Sequence, residues 1–142
     1  MYYLETEASM DAAHFLAGYQ GKCGNIHGHR WRVLAKVYGE TLKTDIQSRG
    51  MLIDFGQLKE DLKQEVDYFD HSFIIEKNTL KPETMKALLA EDFLLREVDF
   101  RPTAENFAAY FYRQMEKRGY AVKEITVYET PNNCARYEEE AK

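Results

Sequence analysis

The chain is 142 residues long, 44% apolar and 30% charged, with a net charge of −5. That is enough chain to bury a core as one domain spanning residues 1–142, and the composition excludes disorder. An acidic balance without a Lys/Arg block excludes general affinity for nucleic acid, and the longest apolar run, Phe107 to Tyr112, is far too short to span a membrane.

Glu5 and Glu7 stand where a signal peptide would carry basic and then apolar residues, and the two cysteines lie too far apart in sequence to read as a disulfide framework. A soluble, cytoplasmic protein is expected. Residues 2–14 alternate, with Tyr2, Leu4, Ala8, Met10 and Ala12 on one parity and Tyr3, Glu5, Glu7, Ser9 and Asp11 on the other, the pattern of a half-buried strand. His14 is in phase with the apolar set. Glycines at 18, 21 and 24 then mark a loop that carries Lys22 and Cys23.

A second strand is expected from about Ile26 to Tyr38, with His27, His29, Trp31, Val33, Ala35 and Val37 inward and Arg30, Arg32 and Lys36 outward. Met51 to Ile53 reads as a short strand. Asp54 is a plausible N-cap with Gln57 three residues on, resembling a capping box. Phe55, Leu58, Leu62, Val66 and Phe69 then recur at helical spacing, ending near Asp70-His71. Between 76 and 101 the pattern is weakest, with a short helix over Lys81 to Ala90 and a strand over Phe93 to Phe100. Thr103 caps a second clear helix with Phe107, Phe111 and Met115 along its stripe and Gly119 as its stop. Glu124 to Thr130 is the last main strand, closed by Pro131, and its inward row of Ile125 and Val127 ends on Glu129. The charged tail from Glu138 is expected to be mobile.

Three of the four histidines therefore fall on the buried side of neighbouring strands. As ordinary core residues each would need its own hydrogen-bond partner, and burying three imidazoles without a shared partner is costly. His14, His27 and His29 as ligands of Zn2+, with a fourth position open, is the pattern of a catalytic site. Cys23 closes that site as a fourth ligand or stays free as a thiolate base or nucleophile, and the residues alone leave both readings open. Asp70 beside His71 is a carboxylate able to orient an imidazole and raise its basicity. Glu129 is neutralised by an arginine or grips two parallel N–H donors, such as the 2-amino and N3 edge of an amino-pterin. Cys134 has no such context and reads as structural.

Five segments occur together in one order: Asp11-Ala12-Ala13-His14-Phe15, Cys23-Gly24-Asn25-Ile26-His27-Gly28-His29, Asp70-His71, Pro102-Thr103-Ala104-Glu105-Asn106 and Tyr128-Glu129-Thr130. They resemble the 6-pyruvoyltetrahydropterin synthase family over the chain up to about Tyr137. The Cys-x-x-x-His-Gly-His spacing brings the resemblance nearest to its bacterial 6-carboxytetrahydropterin branch, which serves the queuosine pathway. The resemblance implies an α+β tunnelling fold, an antiparallel sheet with two helices on one face, in trimers that close a barrel and stack as hexamers. It implies zinc on His14, His27 and His29, Cys23 as the catalytic thiol rather than a ligand, and Asp70 and His71 as the acid–base pair. Glu129 matches the pterin anchor, and Thr103 and Glu105 lie where the family lines the same pocket. The implied substrate is 7,8-dihydroneopterin triphosphate, with no nucleic-acid or membrane partner. The rivals are pyruvoyl-product synthesis in the same family and a pterin- or zinc-binding protein without catalysis, for which Cys23, Asp70 and His71 would be superfluous. A zinc hydrolase of the His-Glu-x-x-His type is excluded, since that motif is absent.

Overall fold

The structure, a computed structural model, describes residues 1–140; residues 141 and 142, the end of the tail expected to be mobile, lie outside the described residues. Its frame is a hairpin of two long strands, β1 (Tyr2–His14) and β2 (His27–Gly39). They pair antiparallel without interruption from Tyr2 opposite Gly39 to His14 opposite His27. Strand β5 (Val122–Thr130) adds to β2, and β6 (Asn133–Tyr137) adds to β5, both antiparallel. On the other side, β3 (Ser72–Glu76) runs parallel to β1 and β4 (Leu95–Val98) parallel to β3, giving the order β4-β3-β1-β2-β5-β6.

The sheet is therefore mixed, which corrects the antiparallel sheet expected from the sequence. The cause lies in the connection: β3 and β4 are joined through α2 (Pro82–Ala90), the kind of crossover that parallel neighbours require. Among the described residues the α-helices number three: the two that the resemblance implies, and α2, which bears out the short helix expected over Lys81 to Ala90. That helix has no buried residue, so its apolar signal was faint. Met51 to Ile53 is a bend and not a strand. Two strands went unforeseen: β3, a five-residue run just after Asp70-His71, and β6, whose residues are exposed or half-buried.

Helix α1 (Phe55–Asp67) starts where Asp54 accepts from the N–H groups of Gly56 and Gln57. Gln57 does not reach back to complete a capping box; its amide bonds Asp61 one turn on. Leu58, Leu62 and Val66, four apart, face the sheet. In α3 (Ala104–Lys117), Thr103 accepts from the Asn106 N–H, as the cap position predicts. Gly119, with φ at 95°, ends the segment in a conformation that a side chain would disfavour. Phe107, Ala108, Phe111 and Met115 are fully buried against Trp31, Val33, Ala35, Val37, Ile125 and Val127 of the sheet. Fully burying each large side chain of that set contributes roughly 1.5–3 kcal/mol.

The other parity of β1 and β2 is charged and paired across strands. Lys36 bridges Glu5 and Glu124, Arg32 binds Glu7 and lies over Tyr128, and Arg30 binds Asp11. Exposed pairs of this kind contribute about 0–1 kcal/mol each, and they mainly keep this face wet. Among the described residues, no helix is long and apolar enough to cross a membrane.

Candidate metal centre and adjoining pocket

The β period puts His27 and His29 on one face, and the register sets His14 opposite His27 on the next strand. The three rings meet at the end of the hairpin, with centroids 4.6, 5.2 and 4.8 Å apart. One nitrogen from each lies within 4.8 Å of the other two. Trp31 forms the floor: its ring meets His14 and His29 edge-on, and its Nε1 donates to the Ala12 carbonyl at 3.3 Å.

The tautomers follow from the partners. His14 Nδ1 lies 2.7 Å from the Pro102 carbonyl, and His27 Nδ1 lies 2.7 Å from the Asn25 carbonyl. A carbonyl only accepts, so each Nδ1 carries a proton, and Nε2 is the nitrogen left to act as a ligand in the neutral ring. His14 Nε2 and His29 Nε2 are buried with no hydrogen bond. The closest charge to His29 Nε2 is the Glu129 carboxylate at 3.5 Å, too long for a good hydrogen bond. Burial pushes the His14 pKa down to about 4, aided by repulsion from His27 and His29 and opposed by the Pro102 carbonyl. Burial also lowers the His29 pKa, against the attraction of Glu129. These imidazoles are neutral at pH 7, so the Glu129 contact is not a salt bridge. Core histidines satisfied by hydrogen bonds would not leave two buried Nε2 atoms bare. Converging neutral imidazoles fit a divalent metal ion, and this trio could hold one with a position left open.

Cys23 sits on a single 3-10 turn, Lys22–Gly24, half-buried, and the donor group forms without it. Asp70 and His71 do pair: Asp70 Oδ2 accepts from His71 Nδ1 at 2.8 Å. The sequence gives no hint of what holds them. Asp70 Oδ1 accepts from the Asp11 N–H, and the His71 N–H donates to the Asp11 carbonyl, so both are pinned to β1 three residues before His14. His71 takes a positive φ of 57°, an uncommon conformation for a side chain of this size. Its pKa is raised by the bond to Asp70; burial opposes ionisation of Asp70, but the bonds from Asp11 and His71 outweigh it and hold that carboxyl low. The pair makes no hydrogen bond with the three metal-site histidines, and the His71 side chain is 78% exposed. Asp70→Asn is expected to move the His71 titration to lower pH, since its largest upward influence is removed. Histidine proton NMR across a pH series would read that shift, and an unmoved midpoint would separate the two residues functionally.

Glu129, at the end of β5, connects the cluster to a cavity of about 290 Å³ lined by Ala104, Glu105, Glu129, Asn133, Cys134 and Ala135. Glu105, in the first turn of α3, thus shares a wall with Glu129. Thr103 spends its hydroxyl on the α3 cap and is not among the lining residues. Cys134, read as structural from the sequence, is exposed and lines this cavity. Arg30 and Arg32 stay on the opposite parity, committed to Asp11 and Glu7.

A mixed sheet with three helices and a metal-ready histidine trio at the end of its central hairpin defines a tunnelling-fold protein. The family model described as 6-pyruvoyl tetrahydropterin synthase matches residues 3–140, and the chain belongs to that family. The 6-carboxy-5,6,7,8-tetrahydropterin synthase of Haemophilus influenzae is 31% identical over 142 residues, covering 98% of this chain and 100% of the relative. The protein of the same name from Rickettsia felis is 33% identical, covering 86% of this chain and 89% of its own. Among solved structures, an uncharacterised protein from Wolinella succinogenes matches with a TM-score of 0.80 at 22% identity, covering 98% of both chains. The Caenorhabditis elegans 6-pyruvoyl tetrahydropterin synthase matches with a TM-score of 0.68 at 25% identity, covering 98% of this chain and 96% of that one.

Proposed function

We propose that this chain is a zinc-dependent 6-carboxy-5,6,7,8-tetrahydropterin synthase, a cytoplasmic lyase of queuosine biosynthesis. It takes 7,8-dihydroneopterin triphosphate and water to 6-carboxy-5,6,7,8-tetrahydropterin, acetaldehyde and triphosphate. The observation that carries this reading is the Glu129 carboxylate, 3.5 Å from a bare histidine nitrogen of the metal trio and in the wall of the adjoining cavity. Relatives bearing this name align over nearly the whole chain, which supports the carboxy product over the pyruvoyl one.

Zinc on His14, His27 and His29 would supply a Lewis acid that acidifies a C–H bond beside the substrate's side-chain oxygens. The remaining roles belong to the chain. The Glu129 carboxylate accepts two parallel N–H bonds from the pterin edge, which fixes the ring and decides which carbon meets the catalytic groups. Glu105 lines the same pocket, and Thr103 holds the first turn of α3 that presents it. The Cys23 thiolate moves a proton on one side of the substrate's side chain, and His71, oriented and made more basic by Asp70, moves one on the other. An exposed His71 unconnected to the trio suits a site completed by assembly. The unpaired outer edges of β4 and β6 suit trimers that close into a barrel and stack as hexamers, since closure removes both edges.

Incubating the zinc-loaded protein with 7,8-dihydroneopterin triphosphate and identifying products by mass spectrometry tests the reading. Carboxytetrahydropterin with equimolar acetaldehyde is expected. A pyruvoyl product, which keeps the three-carbon side chain, would move the chain to the other branch, and tight pterin binding without turnover would leave a binding protein. Glu129→Ala is expected to weaken pterin binding by roughly 1.5–3 kcal/mol, the scale of hydrogen bonds to a charged group. Unchanged affinity by fluorescence titration would remove Glu129 from the anchor role.

A further inference from the structure

Arg101 holds a place that no proposed role explains. It directly precedes Pro102, whose carbonyl accepts the hydrogen bond from His14 Nδ1, yet its own side chain reaches into the loop that carries Cys23. Arg101 Nη2 donates to the Ala17 carbonyl at 3.1 Å, and the guanidinium carbon lies 5.7 Å from the centre of the Tyr19 ring. Its Nε is buried without a hydrogen-bond partner, so the Ala17 carbonyl is the one acceptor that the fork engages among the described residues.

The loop it grips is wound tightly around Tyr19. The Leu16 N–H donates to the Cys23 carbonyl at 2.9 Å and ties the loop shut at the thiol-bearing residue itself. The Tyr19 N–H donates to the Leu16 carbonyl, and the Gly24 N–H to that of Gly21. A Cβ on Gly24 would stand 2.6 Å from the Tyr19 carbonyl oxygen, and one on Gly21 would stand 2.8 Å from the Tyr19 ring. The Tyr19 ring therefore packs against Gly21, and the Tyr19 carbonyl against Gly24, on either side of Lys22 and Cys23. Beyond the turn, the Asn25 carbonyl accepts a hydrogen bond from His27 Nδ1.

We propose that Arg101 is a positioning residue that sets the Cys23 thiol relative to the metal trio, with Tyr19 as the lever through which it acts. The dipeptide Arg101-Pro102 then holds both parts of the centre: the arginine fork fixes the thiol loop, and the proline carbonyl fixes His14. A rigid planar fork can donate and stack at the same time, whereas a lysine ammonium is a single flexible point charge. Misplacing a catalytic group by about 1 Å can lower a rate on the order of 10²-fold without changing substrate affinity.

The inference rests on the reading of Cys23 as the catalytic thiol, so the experiment includes Cys23→Ala beside Arg101→Lys and Tyr19→Ala. All are assayed as zinc-loaded full chains with 7,8-dihydroneopterin triphosphate. Arg101→Lys and Tyr19→Ala should each keep the wild-type zinc content and a KM within about threefold, while kcat falls on the order of tenfold or more. The rate of Cys23 carbamidomethylation by iodoacetamide, followed on its peptide by mass spectrometry, should change in both. Tyr19 is half-exposed and touches no metal-site histidine, so its variant decides the matter if Arg101→Lys folds poorly. Wild-type kcat and alkylation rate in Tyr19→Ala overturn the clamp even when Cys23→Ala is inactive. Normal turnover by Cys23→Ala instead removes the thiol role, and the clamp falls with it.

Discussion

Replacing Cys23 with alanine is expected to lower turnover by about 10²–10⁴-fold, the usual loss when a positioned proton carrier is removed. Zinc content and pterin affinity should stay at wild-type levels. The reason is the separation of parts. The donor set is made of His14, His27 and His29, with the Nδ1–H groups of His14 and His27 donating to backbone carbonyls, and the Cys23 sulfur is not a member of it. The pterin anchor, Glu129, is on β5, a different element from the turn at Lys22–Gly24. The exchange takes away a sulfur from a half-buried turn whose shape is held by backbone bonds, so the loop should keep its form. Metal analysis, fluorescence titration with the pterin, and turnover would be read on the same preparation. Loss of zinc together with turnover would make Cys23 a fourth ligand, and the thiol chemistry would then need another carrier.

The parts of this site that were legible in the sequence are those written in a side-chain period. Alternation along 2–14 and 27–37 put three histidines on one face, and the register then brought His14 opposite His27. Adjacency made Asp70 and His71 a candidate pair, and the carboxylate at the end of an apolar row marked Glu129. What stayed hidden is carried by backbone groups, which have no residue-type signal. The Pro102 and Asn25 carbonyls that set the tautomers are of this kind, as are the Asp11 N–H and carbonyl that pin Asp70 and His71. Arg101 could have been suspected only from its place beside the Pro102-Thr103 motif. In the fold, β6 was missed because an edge strand with exposed side chains shows little periodicity. The parallel pairing of β3 and β4 was missed because β3, a five-residue run directly after Asp70-His71, was not read as a strand, although the crossover helix and the strand after it were expected.

The His14→Gln variant should lose the metal, and in the metal-free state it should also lose an acid sensitivity that the wild type has. Two imidazoles remain, and a glutamine amide is a poor substitute for a neutral nitrogen donor, so metal content and turnover fall together. The stability effect follows from burial. His14 in the folded chain has its pKa lowered from 6.5 to about 4, first by burial and then by its two histidine neighbours. An unfolded chain takes up that proton near 6.5, so between the two values the unfolded state binds more protons and is favoured as pH falls. Above 6.5 this group has no effect. As pH drops from 6.5 to about 4 the metal-free protein should lose on the order of 3 kcal/mol through His14, and the lowered pKa of His29 acts in the same direction. Metal binding needs the same nitrogens unprotonated, so acid should release the ion within this range and remove its stabilisation as well. Thermal melts of chelator-treated wild type and His14→Gln at several values between pH 4.5 and 7.5 isolate the contribution, because carboxylate titrations elsewhere are common to both proteins. A shallower loss of melting temperature toward acid in the variant is the expected result. Parallel curves would mean that His14 takes its proton in the folded state as readily as in the unfolded one, and the buried neutral imidazole that the metal site requires would have to be given up.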